Sequence, residues 1–196
     1  PEHLSCYALS VEDGTPLGDL RAQGRLEPVG EEEARGLFLA TLRRLAELGY
    51  PFYEVSNFAR SPALRCRHNA KTWAGAPYLG FGPAAHSFRP PVRSWNDPDL
   101  EGYVAALEDG RDPPGGSETL NAAQRALERL FLGLRTVSGA DLAAIERDLS
   151  PGFRKTNAAL VGRLAAEGLA VLDGDVLRLA PEGLAVADAI APRFRL

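Results

Sequence analysis

The stretch PFYEVSNFA, Pro51–Ala59, is short, mostly apolar and rich in residues that favour extended backbone, so it reads as a strand. It follows a helical run. Leu37, Phe38, Leu42, Leu45 and Leu48 recur at helical spacing through residues 31–48, and Gly49 is placed to stop that helix. Before the helix, HLSCYAL (His3–Leu9) reads as a buried strand, and VEDGTPLG after it as a turn with Gly14 and Pro16 as breakers. Strand, helix, strand predicts a βαβ unit of a parallel sheet, hence an α/β fold. Alternation along the stretch places Glu54 and Ser56 on one face and Tyr53 and Val55 on the other. In a parallel barrel, the ends of such strands carry the chemistry.

Outward from this unit, residues 60–73 are polar and irregular. PYLGFGPAAHSF (Pro77–Phe88) reads as a strand running into a Gly-Pro turn. VRSWN (Val92–Asn96) is a further short strand, and residues 99–107 read as a helix. RDPPGGSE, residues 111–118, has linker composition. Beyond it the pattern becomes helical. Leu120, Leu127, Leu130, Phe131 and Leu134 form one stripe. Ser138 and Asp141 resemble a capping box opening a second helix through Leu142, Ile145 and Leu149, and residues 154–167 form a third. LAVLDGDVLRLA (Leu169–Ala180) is a hairpin about Asp173-Gly174-Asp175, and Pro181 starts a last helix. Three helices and a hairpin are the winged-helix order. The expected organisation is residues 1–110, a linker at 111–118, and a small winged-helix-like domain at 119–196.

The 196 residues carry a net charge of −4, which excludes a globally basic nucleic-acid binder. Two cysteines, Cys6 and Cys66, make no disulfide framework, and a cytoplasmic setting with no transmembrane segment is the expectation. The chain has no methionine and begins at Pro1 on a strand-like run, so it is expected to be part of a longer protein. The charge is unevenly spread. Between Val55 and Asn96 there is no Asp or Glu, while Arg60, Arg65, Arg67, Lys71, Arg89 and Arg93 give that window +6. Arginine's two-pronged donors suit carboxylate or phosphate, and a solvated basic loop is the bland alternative.

CRHNAKTW (Cys66–Trp73) lies within this window. Cys66 and His68 alone do not make a zinc site, whereas a haem iron needs only one or two axial ligands. Trp73 and Tyr78 suit either stacking on a flat macrocycle or ordinary core packing. Gly80 and Gly82 permit close backbone approach to a ligand or a tight bend, and His86 follows them.

YEVSNFA, CRHNAKTW and YLGFGPAAHSF, in this order, resemble the signature run of the oxygen-independent coproporphyrinogen oxidase-like radical-SAM family, and most of all its HemW, haem-chaperone, branch. HLSCYALSVEDGTPL and GLRTVSGADL resemble the segments that flank these motifs, so the likeness covers nearly the whole chain. Thr72 stands where that branch has tyrosine, and the family's CxxxCxxC cluster motif is absent. The resemblance implies the C-terminal part of a partial (β/α) barrel followed by a winged-helix-like domain. It implies haem at His68, Asn69 and Trp73, and S-adenosylmethionine near Ser10 and His86, with Gly80 and Gly82 alongside. It also implies a 4Fe-4S cluster whose ligands are not in this chain. Charge adds Arg60, Arg65, Arg67 or Lys71 as partners for haem propionates. The expected function is haem delivery to acceptor proteins. A coproporphyrinogen dehydrogenase and a winged-helix nucleic-acid binder are the alternatives. The latter is opposed by residues 117–196, which hold ten basic and ten acidic residues.

Overall fold

The computed structural model describes residues 1–149 and 151–195. Strand β1 (His3–Ser5) leads into helix α1 (Pro16–Ala22) and then α2 (Glu31–Glu47). Pro16 does not break structure here. Its fixed φ suits the first helical turn, and Thr15 caps that turn by accepting from the Gly18 N–H at 3.1 Å. Helix α2 opens on Glu31, Glu32 and Glu33, which complement the helix dipole, and it buries Leu42.

PFYEVSNFA is not one strand. It forms β2 (Phe52–Glu54) and β3 (Asn57–Ala59), which pair antiparallel around Val55–Ser56. The buried Glu54 carboxylate holds this turn, accepting from the Ser56 N–H at 3.1 Å and from the Asn57 amide. Glu54 therefore faces Asn57 across the turn, and Ser56 lies in the turn instead of sharing a strand face with Glu54. The sheet order is β1-β3-β2, with both pairings antiparallel. β1 and β2 point the same way, as a crossover through α2 requires, but β3 lies between them, so the expected direct parallel pairing is not made.

Residues 67–73, expected to be irregular, form helix α3 (Arg67–Trp73), preceded by a 3-10 turn at Pro62–Leu64. The helix has no buried residue and no side-chain cap, so it left no apolar stripe to detect. β4 (His86–Arg89), β5 (Val92–Asn96) and β6 (Gly115–Thr119) make a second antiparallel sheet in that order. Its α4 (Leu100–Glu108) is capped by Asp99. Half of the linker-like stretch is thus a strand. Gly115 and Gly116 lie so close to the Trp95 backbone and indole that any Cβ would collide with them.

The remainder is α5 (Ala122–Leu134), β7 (Ala140–Asp141), α6 (Leu142–Leu149), α7 (Phe153–Ala166), β8 (Ala170–Asp173), β9 (Val176–Leu179), α8 (Pro181–Leu184) and α9 (Ala187–Ile190). The sheet order β7-β9-β8 adds a third strand to the expected hairpin. The capping box lies at Asn121 and Gln124. At α6, Asp141 is the cap, accepting from the Ala144 N–H at 2.8 Å, rather than Ser138. The last helix is split at Ala185–Val186.

One core joins both parts: Leu42, Tyr50 and Phe58 pack with Leu130, Leu134, Ile145, Leu164 and Leu177. The edge of β2 is completed from the C-terminal part. Val55 N–H donates to the Arg135 carbonyl at 2.9 Å, and Val137 N–H donates to the Tyr53 carbonyl at 3.1 Å. No described helix is long and apolar enough to cross a membrane.

Candidate functional site

Helix α3 carries His68, Asn69 and Trp73 between two hollows. On one side lies a cleft of about 280 Å³ against the winged-helix-like part, lined among others by Arg65, Ala70, Trp73, Arg129 and Asp141. On the other lies a groove of about 580 Å³ that is largely apolar. Thr72 lines it from α3 and Gly75 from just after that helix, Phe88 from β4 with Tyr78 bridged to it, and Leu127 and Phe131 from α5. His68 sits one turn before Thr72, so the two share a helix face, and Thr72 on that face lines the groove. Trp73 faces the smaller cleft instead. The haem set expected from sequence is thus not gathered: Trp73 lines the cleft, while His68, on the helix face of Thr72, lines neither hollow itself.

His68 is exposed, and its nearest polar partner among the described residues is Asn69 Oδ1 at 3.5 Å, the outer limit of a hydrogen bond. Its imidazole is therefore uncommitted. Arg67 and Lys71 are exposed on the same helix. Of the six cations in the acid-free window, Arg93 is consumed by Glu118 at 3.3 Å and by Glu128. Arg60 and Arg65 lie over the rings of Tyr50 and Tyr53 at 4.4 and 5.5 Å. Among the described residues, Arg60, Arg65, Arg67, Lys71 and Arg89 make no ion pair, so their charge is not cancelled at close range.

The residues singled out for S-adenosylmethionine do not all gather. Gly80, Gly82 and His86 share one loop, whereas Ser10 lies exposed in the segment after β1, and no hydrogen bond joins it to that loop among the described residues. Both glycines are explained by the loop itself. A Cβ on Gly80 would collide with the His86 carbonyl, and Gly82 has a φ of +108° that L side chains rarely adopt. Gly82 N–H donates to the Tyr103 hydroxyl at 3.0 Å, and its carbonyl accepts from Asn96 at 2.8 Å. His86 is exposed beside the Trp95 ring, 6.0 Å between centroids.

Cys6 and Cys66 are free, and no group of three or more His, Cys, Asp or Glu suited to a metal exists among the described residues. A 4Fe-4S cluster, which needs several thiolates, does not fit these residues.

One residue that sequence alone did not flag is Tyr53. Its hydroxyl accepts from the Cys66 N–H at 3.2 Å and meets His3 Nε2 at 2.9 Å. Burial pushes the phenol above its ordinary value, while the Cys66 N–H and the Asn69 side chain pull it down. Tyrosine in a short strand is too ordinary to stand out; only its distant partners mark it.

Comparison with known proteins follows this geometry. Residues 120–186 match the family described as the HemN C-terminal domain. The chain is 34% identical over 192 residues to the heme chaperone HemW of Mycobacterium tuberculosis, covering 96% of this chain and 46% of that protein. The chain is HemN/HemW-like. The HemW of Bacillus subtilis is 29% identical to this HemW-like chain over 138 residues, covering 70% of it and 36% of that protein. A mitochondrial radical S-adenosyl methionine domain-containing protein 1 from Danio rerio is 33% identical over 208 residues, covering all of it and 46% of that protein. The chain spans about half the length, or less, of these curated relatives. Coproporphyrinogen III oxidase (HemN) from Escherichia coli, a radical-SAM enzyme, superposes with a TM-score of 0.67 at 20% identity, covering 99% of this chain and 48% of that one. That likeness establishes the α/β fold shared with the radical-SAM enzyme.

Proposed function

We propose that this chain supplies the haem-binding part of a haem chaperone, which receives haem and passes it to acceptor proteins. The observation that carries this is His68: an exposed imidazole with no committed ring nitrogen, on the α3 face whose Thr72 lines an aromatic-lined groove. Haem is the cargo. His68 would offer an axial nitrogen to its iron, and Tyr78, Phe88 and Phe131 present apolar surface to a flat ring. Arg67 and Lys71 on the same helix would meet the propionates, since no acidic residue lies nearby in sequence to compete. The likeness to heme chaperones of Mycobacterium tuberculosis and Bacillus subtilis supports the same function.

S-adenosylmethionine at Ser10 and His86 belongs to the proposal as well. His86 is exposed and could present an imidazole nitrogen to a ligand, but Gly80 and Gly82 serve the loop that holds it. The nucleic-acid alternative loses support. Arg154, at the start of α7, is bound by Glu146 and Asp175, both at 2.5 Å, so the helix that would read DNA presents little free positive charge.

Haemin titration of the full-length protein tests the proposal. Wild type is expected to shift the Soret band, and His68→Ala to change the Soret position and weaken affinity by at least tenfold. A His68→Ala protein with the wild-type spectrum and affinity would show that His68 is not the ligand.

A further inference from the structure

Helix α3 fully buries none of its seven residues and half-buries only Asn69 and Trp73, so packing alone does not fix its position. Its two ends do. At the rear, Tyr78 and Phe88 exchange backbone hydrogen bonds, each at 2.9 Å. At the front, the Cys66 N–H, which no carbonyl of the helix can satisfy, donates to the Tyr53 hydroxyl. Tyr53 itself cannot drift. It is 5% exposed, its hydroxyl meets His3, its ring carries Arg65, and its carbonyl accepts from Val137 of the C-terminal part.

We propose that Tyr53 is a positioning residue for the ligand-bearing helix: through its hydroxyl it sets where α3 starts, and so where His68 and Asn69 stand. This rests on the haem reading of His68 but makes a claim of its own about the helix. Tyr53 touches no ligand. It acts through the backbone of Cys66, with the Asn69 side chain as a second contact on the helix, and because β2 is bonded to residues 135–137, it ties the helix to the C-terminal part.

The test is Tyr53→Phe in the full-length protein, read in two ways. The phenyl ring keeps the packing and the Arg65 stack and removes only the hydroxyl. Without ligand, hydrogen exchange at the Cys66 amide should accelerate about fivefold, the loss of one hydrogen bond. With haemin, affinity should fall by a similar factor and the Soret position should move. In a His68→Ala background, Tyr53→Phe should add nothing to the spectral change, because its effect runs through His68. Unchanged Cys66 exchange overturns the proposal. So does faster exchange with wild-type haem affinity and spectrum. If the wild-type protein binds no haemin, the haem reading fails, while Cys66 exchange still decides whether Tyr53 holds the helix. Should Tyr53→Phe not fold, the wild-type Cys66 amide decides: exchange at the rate of an unprotected amide overturns the proposal.

Discussion

Asn157 illustrates what a single side chain does here. It is buried on α7, where asparagine is a poor helix former, yet its carboxamide is fully used. Nδ2 donates to the carbonyls of Phe153 and Arg195 at 2.9 and 2.8 Å, and Oδ1 accepts from the Arg195 N–H at 2.9 Å. The residue thus pins the C-terminal segment to the winged-helix-like part. Asn157→Ala should cost about 1–3 kcal/mol in chemical denaturation, because it leaves buried backbone groups unpaired. It should also speed exchange of the Arg195 amide. A variant with wild-type stability would mean that water replaces the carboxamide. Tyr53 and Asn157 have the same property: their roles depend on partners far away in the chain, so neither was legible in sequence. His68 was singled out in sequence by the acid-free basic run and by the family resemblance, neither of which depends on a distant partner.

At the scale of elements, legibility followed apolar periodicity. Helices α5 and α7 and the β8–β9 hairpin were readable because each buries a stripe or closes on an Asp-Gly turn. Helix α3 fully buries no residue and gave no signal, while PFYEVSNFA gave a strand signal that concealed a turn. The turn was concealed because Val55-Ser56 is not a usual turn pair, and the Glu54 carboxylate supplies the bonds that Gly or Asn would otherwise provide. Between α6 and α7 the joint is electrostatic. Arg154 hydrogen-bonds Glu146 and holds its carboxyl below the ordinary 4.5, helped by the Gly152 N–H. A carboxylate lowered on folding stabilises above its unfolded value, and that contribution is lost as pH falls through the lowered folded value. The melting temperature should therefore drop as pH falls below about 4.5, and Glu146→Gln should flatten that acid arm while lowering stability at neutral pH. An unchanged acid arm in the variant would remove Glu146 from the account. Both side chains reach solvent, so added salt should weaken the effect.

For the whole molecule, the question is whether residues before and after the Pro/Gly stretch behave as one unit. Phe58, on β3, is 1% exposed and belongs to the same core as Leu130, Leu164 and Leu177. Phe58→Ala should cost about 3–5 kcal/mol. Because the core is shared, tryptophan fluorescence from Trp73 and Trp95, both before the Pro/Gly stretch, and the helical circular dichroism, to which both parts contribute, should shift together in one transition. A tryptophan transition accompanied by only part of the circular-dichroism change would show two independently melting parts. The sequence supported a separation at residues 111–118 from composition, and Pro113-Pro114-Gly115-Gly116 does look like a hinge. In the fold, those glycines let β6 pass against Trp95, and the shared core lies elsewhere.

The sequence by itself determined the α/β class, the winged-helix order, the basic window without acids and the resemblance to the HemN and HemW proteins. These rest on local periodicity, on charge counts and on ordered motifs, all of which survive in one dimension. Only the tertiary structure decided that β3 inserts between β1 and β2 and that CRHNAKTW is helical. It alone put Trp73 in the cleft without His68, and only the fold took Arg93 out of the free cations. Each of these depends on a partner that sequence spacing does not specify: a carboxylate across a turn, a hydroxyl from another strand, or a glutamate on a distant helix. Such bonds are chosen when the chain packs, because buried polar groups must find a partner within reach.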